Sequence, residues 1–126
     1  MDNILEYNDF LNEKFSTTEV DREYMSSIST ISHGIENITI WLGPDPNTSD
    51  KIIKVSNTLN DKKGQNCFTM RISNLQTYGY INKNVITDEI MLKIKTFITK
   101  NKNVIYDFYD NYESYTLKNL IKKLIK

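Results

Sequence analysis

Several residue types are scarce in this 126-residue chain, and each scarcity closes off a class of function. A single cysteine, Cys67, excludes an internal disulfide framework, and a single histidine, His33, excludes a histidine-rich metal site. Only two arginines, Arg22 and Arg71, stand beside 14 lysines, a poor supply for the bidentate contacts typical of nucleic-acid binders. The four glycines are scattered, so no glycine-rich loop opens a helix to cradle a phosphate. No apolar run nears the roughly 20 residues of a membrane span. Met1-Asp2-Asn3-Ile4 lacks the basic and apolar regions of a signal peptide. These absences predict a soluble, cytoplasmic protein that uses no membrane, no cofactor and no metal.

Alanine is missing altogether, while isoleucine, asparagine and lysine number 17, 15 and 14. No fold demands the absence of the best helix former. A preference for A/T-rich codons accounts for all these counts, which points to a low-GC bacterium or to a phage or plasmid carried by one. A GC-rich coding sequence would refute that origin. Length and composition otherwise predict one domain over residues 1–126, large enough to bury a core unaided.

The formal net charge is zero, yet the charges are segregated. Residues 1–50 carry ten acids and two bases, and residues 51–126 carry fourteen bases and six acids. Either the two segments attract one another within the domain, or they form two faces of opposite sign, each suited to a different partner.

The chain reads as α-β-β-β-β-(β)-α-α, an α+β domain. Asp2 to Phe15 is predicted helical, with Ile4, Leu5, Leu11 and Phe15 near one face. Strands are expected over Tyr24–Ser32, Ile35–Leu42, Lys51–Asn57 and Cys67–Ile72, with a short fifth at Gln76–Tyr80. Gly43 to Asp50 is a loop holding both prolines. After Thr87, a good N-cap, a 3.6-residue apolar stripe predicts a helix from Asp88 to about Asp110, which Asn101-Lys102-Asn103 could interrupt. Thr116 caps a last helix. Hairpin-length connections predict an antiparallel sheet of four to five strands in meander order, with the two C-terminal helices on one face.

Catalytic constellations are weak. Cys67 and His33 are the one candidate nucleophile and base, but Cys67 begins an apolar strand and His33 precedes a turn glycine. Asp107, Asp110 and Glu113 recur at spacing three, compatible with a shared divalent cation or with a solvated helix end. No enzyme is expected. Two stretches suit a partner instead. Tyr106, Tyr109, Tyr112 and Tyr115 form a row interleaved with Asp107, Asp110 and Glu113, an acidic aromatic patch fit for a basic surface or, alternatively, a row partly folded over the sheet. Trp41 and Asp45, at the proline loop, are further partner-binding candidates. In the last helix Lys118, Lys122, Lys123 and Lys126 face away from the apolar stripe, and these are the candidate nucleic-acid contacts of a second reading.

Trp41-Leu42-Gly43-Pro44-Asp45-Pro46, the strands Lys51–Val55 and Phe68–Ile72, and the helix Ile90–Phe108 with Asn101 to Ile105 near its end carry a likeness. Over about residues 38–110 the chain resembles a family of small bacterial β-meander-plus-helix domains found near toxin–antitoxin genes. That family's proline–histidine run is absent here, where Asp50-Lys51-Ile52-Ile53 stands instead. The resemblance implies the α+β topology. Size and composition are like those of phage-borne anti-defence (anti-CRISPR) proteins and of toxin-neutralising immunity proteins. The expected function is therefore a non-enzymatic inhibitor that binds and blocks a host or defence-system protein, alone or within a nucleoprotein complex. The alternative is a nucleic-acid-binding regulator using the basic C-terminal helix.

Overall fold

In the centre of the sheet, Ile52-Ile53-Lys54-Val55-Ser56 has every side chain buried, so this strand is covered on both faces. A computed structural model describes residues 19–45 and 48–126 of the chain. Strands β1 (Ser26–Ile28), β2 (Ile40–Leu42), β3 (Ile52–Ser56), β4 (Cys67–Arg71) and β5 (Thr77–Tyr78) form one antiparallel sheet in sequential order. Helix α1 (Thr30–His33) follows β1, and helices α2 (Asp88–Asp110) and α3 (Leu117–Lys123) follow the sheet, with a 3₁₀ turn at Tyr112–Ser114 between them. The architecture is α+β. The helix expected over Asp2–Phe15 lies outside the described residues.

The register sorts the side chains by face, since neighbours along a strand point to opposite sides. Ile40, Val55 and Phe68 align across β2, β3 and β4, as do Leu42, Ile53 and Met70. This face joins Ile94, Phe97, Ile98, Ile105 and Phe108 of α2 in the main core. Each such side chain contributes on the order of 1.5–3 kcal/mol by leaving water. On the other face Trp41 and Cys67 cluster with Met25 and Val20. Lys54 lies in the same row as Trp41 and Thr69.

Three expected strands are much shorter than their composition suggests, and one of them, Gln76–Tyr80, reduces to Thr77–Tyr78. In Tyr24–Ser32 only Ser26–Ile28 is extended, because Ser29 begins a helical turn that closes at Gly34. The β-rich composition misleads there: Ile31 sits on that turn, 80% exposed, pairing with nothing in the sheet. Ile35–Leu42 reduces to Ile40–Leu42 because a turn reverses the chain at Ile35–Ile38.

Helix α2 spans the whole predicted stretch. Thr87 Oγ1 accepts from the Ile90 N–H at 3.2 Å, and Asp88 and Glu89 sit at the positive end of the helix dipole. Asn101 does not interrupt it. Its buried Nδ2 donates to Phe97 O at 2.9 Å and to Ile125 O at 2.7 Å, while its Oδ1 accepts from Ile125 N at 2.7 Å. That pair of bonds holds Ile125, beyond the end of α3, against the middle of α2. Thr116 caps α3 as expected, accepting from Asn119 N at 3.1 Å. No helix among the described residues is long and apolar enough to cross a membrane.

Candidate functional site

The C-terminal end of α2 opens onto a concavity of about 560 Å³, lined by Tyr24, Pro44, Tyr109, Asp110, Asn111, Tyr112, Glu113 and Ser114. Pro44 enters because Gly43, at φ +145°, lets the chain pass against β1; a Cβ there would fall 2.1 Å from Tyr24 O. The helix stops at Asp110. Asn111 leaves helical geometry at φ −120°, and its Nδ2 donates back to Asp107 O and Asp107 Oδ1.

The electrostatics of this end are unusual. The last turn of a helix carries partial negative charge and ordinarily gathers lysine or arginine. In α2 the last turn has no basic residue and holds Asp107 and Asp110, with Glu113 next on the 3₁₀ turn. Glu23 adds to the field: its carbonyl accepts from Tyr112 Oη at 3.2 Å. Partial burial, then the charges of Glu23, Tyr24 and Asp21, push the Tyr112 hydroxyl above its ordinary pKa. Among the described residues Lys51 answers, at 3.1 Å from Asp110 Oδ1, but Asp110 remains 61% exposed. The concavity thus combines aromatic walls with an excess of carboxylates.

The tyrosines do not form one row. Spacing three drifts by about 60° around a helix at each step, and the helix ends before Tyr112. Tyr106 lies under two ammonium groups, Lys51 at 5.3 Å and Lys102 at 5.6 Å from its ring centre. Tyr109 is buried, and its hydroxyl donates to Ile52 O; complete burial raises its pKa. It braces the helix on the sheet and presents almost no surface. Tyr112 stands in the concavity, and Tyr115 stacks edge-on against Phe108. Asp107 is not part of the lining, and its Oδ1 accepts from Asn111 Nδ2 at 2.9 Å. Asp107, Asp110 and Glu113 accordingly do not converge, and no cluster of three potential metal ligands occurs among the described residues.

Trp41 is 4% exposed, far from an exposed anchor. Its Nε1 donates to Ser56 Oγ at 3.0 Å, and Ser56 Oγ donates to Asp61 Oδ2 at 2.7 Å. Asp45 lies in a neighbouring cavity beside Asp21, Arg22 and Lys54. Cys67 and His33 are apart: Cys67 belongs to the Trp41 cluster, and His33 stacks on Phe97 of the main core. Both nitrogens of His33 are engaged, Nε2 with Ile38 O and Nδ1 with the Ile35 N–H, and burial of Cys67 raises its thiol pKa. The two do not form a nucleophile–base pair.

Lys118, Lys122 and Lys123 lie on α3, and Lys126 lies beyond it. Lys122 and Lys123 occupy its last turn, where cations complement the dipole. Lys123 also sits 4.9 Å over the Tyr115 ring, and its contact with that hydroxyl raises its pKa. Lys118 is exposed, and Lys126 packs its stem by Gly34. Pro44 comes from the proline loop already marked by the sequence, whereas Tyr24 and Glu23 did not stand out as site residues. Their only advance sign was the acid-rich run Asp21-Arg22-Glu23-Tyr24. Comparison with protein-family models, with curated proteins and with solved structures finds no match to this chain.

Proposed function

We propose that this protein is a non-enzymatic binding protein that blocks a macromolecular partner by seating a basic segment of it in the acidic concavity at the end of α2. One observation carries the reading: Asp110 and Glu113 line the concavity at the C-terminal end of α2, where the helix dipole disfavours carboxylates, and the last turn of that helix holds no basic residue. A protein that keeps a locally unfavourable charge arrangement commonly does so for function. An arginine or lysine of a partner would meet Asp110 and Glu113 and lie against Tyr24 and Tyr112, gaining ion pairs and cation–π contact. The reading accords with a likeness in size and composition to phage-borne anti-defence and immunity proteins, which act by occupying a target.

The test is affinity capture of partners from host lysate, with and without nuclease, using wild type and an Asp110→Lys/Glu113→Lys variant. A stoichiometric protein that survives nuclease and is lost with the variant supports the reading. Tyr112→Ala should weaken that complex by about 2 kcal/mol, near thirtyfold in Kd. Undiminished capture by the charge-reversed variant refutes this surface. Recovery of nucleic acid that Lys118→Glu/Lys122→Glu abolishes would transfer the function to α3.

A further inference from the structure

A second concavity, of about 350 Å³, lies between the α1 turn and the middle of α2. Its floor is apolar and buried: Ile35 and Phe97, each 3% exposed, and the His33 ring, 2% exposed. Leu92 stands at the mouth, 66% exposed, an apolar side chain left in water beside an apolar hollow. The polar side chains of the wall are already satisfied. Both His33 nitrogens bond to backbone, and Thr96 Oγ1 donates to Leu92 O at 2.8 Å.

What remains for a ligand at the rim is positive charge. Lys93, Lys100 and Lys126 line the site, and no acidic residue does. Lys93 contacts Glu89 at 3.6 Å along the helix. Lys100 spends one donor on Lys126 O at 2.8 Å, and no side-chain carboxylate among the described residues pairs with either ammonium. The Lys126 stem packs over Gly34, and both residues line the hollow. An apolar floor with a cationic rim is complementary to one kind of molecule, an apolar body with an anionic head.

We propose that this concavity binds a free single-chain aliphatic carboxylate, its chain on Ile35, Leu92 and Phe97 and its carboxylate met by Lys100 and Lys126. A membrane surface fits less well, because the apolar floor is recessed and reachable only by a chain that inserts. The site is separate from the acidic concavity and does not depend on the function assigned there.

The experiment is an NMR titration of the ¹⁵N-labelled full chain with octanoate, octan-1-ol and acetate. Octanoate should give saturable shifts at the Gly34, Ile35, Thr96 and Phe97 amides. Octan-1-ol, without the charge, should bind about tenfold more weakly, and acetate, without the chain, should leave these amides unmoved. Leu92→Glu should abolish octanoate binding and Lys100→Glu should weaken it about tenfold. Both sites are exposed, and circular dichroism of each variant confirms that it is folded. The proposal is overturned by unsaturable shifts, by octan-1-ol binding as tightly as octanoate, or by undiminished binding to folded Leu92→Glu. Sedimentation with phosphatidylglycerol vesicles in the absence of octanoate binding would overturn it in favour of a membrane surface.

Discussion

Replacing Asn101 by alanine should loosen the C-terminal segment and lower the stability of the whole domain. Asn101 makes three side-chain hydrogen bonds, and two of them, both 2.7 Å long, clamp the N–H and C=O of Ile125. The third, to Phe97 O, duplicates an acceptor already used by the helix, so its loss matters little. Each bond to Ile125 contributes about 0.5–1.5 kcal/mol net. Ile125 is 59% exposed, so water can replace both partners, which keeps the cost toward the lower half of the range. Truncating a 1%-exposed side chain also leaves a small void. The sum is about 2 kcal/mol, or a fall in Tm of about 6–10 °C for a domain of this size. Thermal melting by circular dichroism reads the first quantity. Amide exchange at Ile125 reads the clamp itself, since its N–H has Asn101 Oδ1 as acceptor. In the variant that amide should exchange close to the unstructured rate while core amides stay protected. Asn101→Asp gives the complementary result. It keeps the acceptor but loses the donor and buries a charge beside two carbonyls, so its stability should recover as acidification restores a proton. A variant with unchanged Tm and a still-protected Ile125 amide would refute the reasoning.

Three further outcomes follow from other residues. Burial lowers the pKa of His33, outweighing the hydrogen bond to Ile38 O. The unfolded chain therefore takes the proton more readily, and stability present above about 6.5 should be lost as pH falls below it; urea midpoints at pH 5 and 7.5 should differ less in a folded His33→Phe variant. Gly43→Ala drives a Cβ to 2.1 Å from Tyr24 O at φ +145°. It should cost at least about 3 kcal/mol, and an unshifted denaturation midpoint would contradict the close approach. Trp41→Phe keeps the ring in its cluster but removes the donor to Ser56 Oγ, for an expected loss of about 1–2 kcal/mol in chemical denaturation followed by circular dichroism.

Local signals made much of the fold legible. Thr87 and the stripe from Ile90 to Phe108 specify α2 without help from the rest of the chain, and alternation in Cys67–Ile72 specifies β4. Asn101 resisted reading because its value lies in a contact 24 residues away. Ser26 to Ser32 resisted for the opposite reason: its residues prefer strands, but Gly34 closes a helical turn through its N–H to Thr30 O. The candidate site was half legible. Asp110, Tyr112 and Glu113 stood out as a pattern, whereas Tyr24 and Pro44 join them only through the sheet. Trp41 and Tyr109 looked like anchors because aromatic type says nothing about which face of an element is buried.

The strictly sequential strand order has a consequence for how other chains can meet this one. Among the described residues every pairing in the sheet joins neighbours in the sequence, so the sheet can assemble hairpin by hairpin with short loop closures, a topology that favours rapid folding. The same order leaves β1 and β5 at the two rims, and these are only three and two residues long. Such brief rims offer little backbone for strand addition, the route by which many sheets capture peptides or aggregate. A chain that met this sheet edge-on would therefore find few backbone groups to pair with among the described residues, and side chains would have to supply most of its contacts.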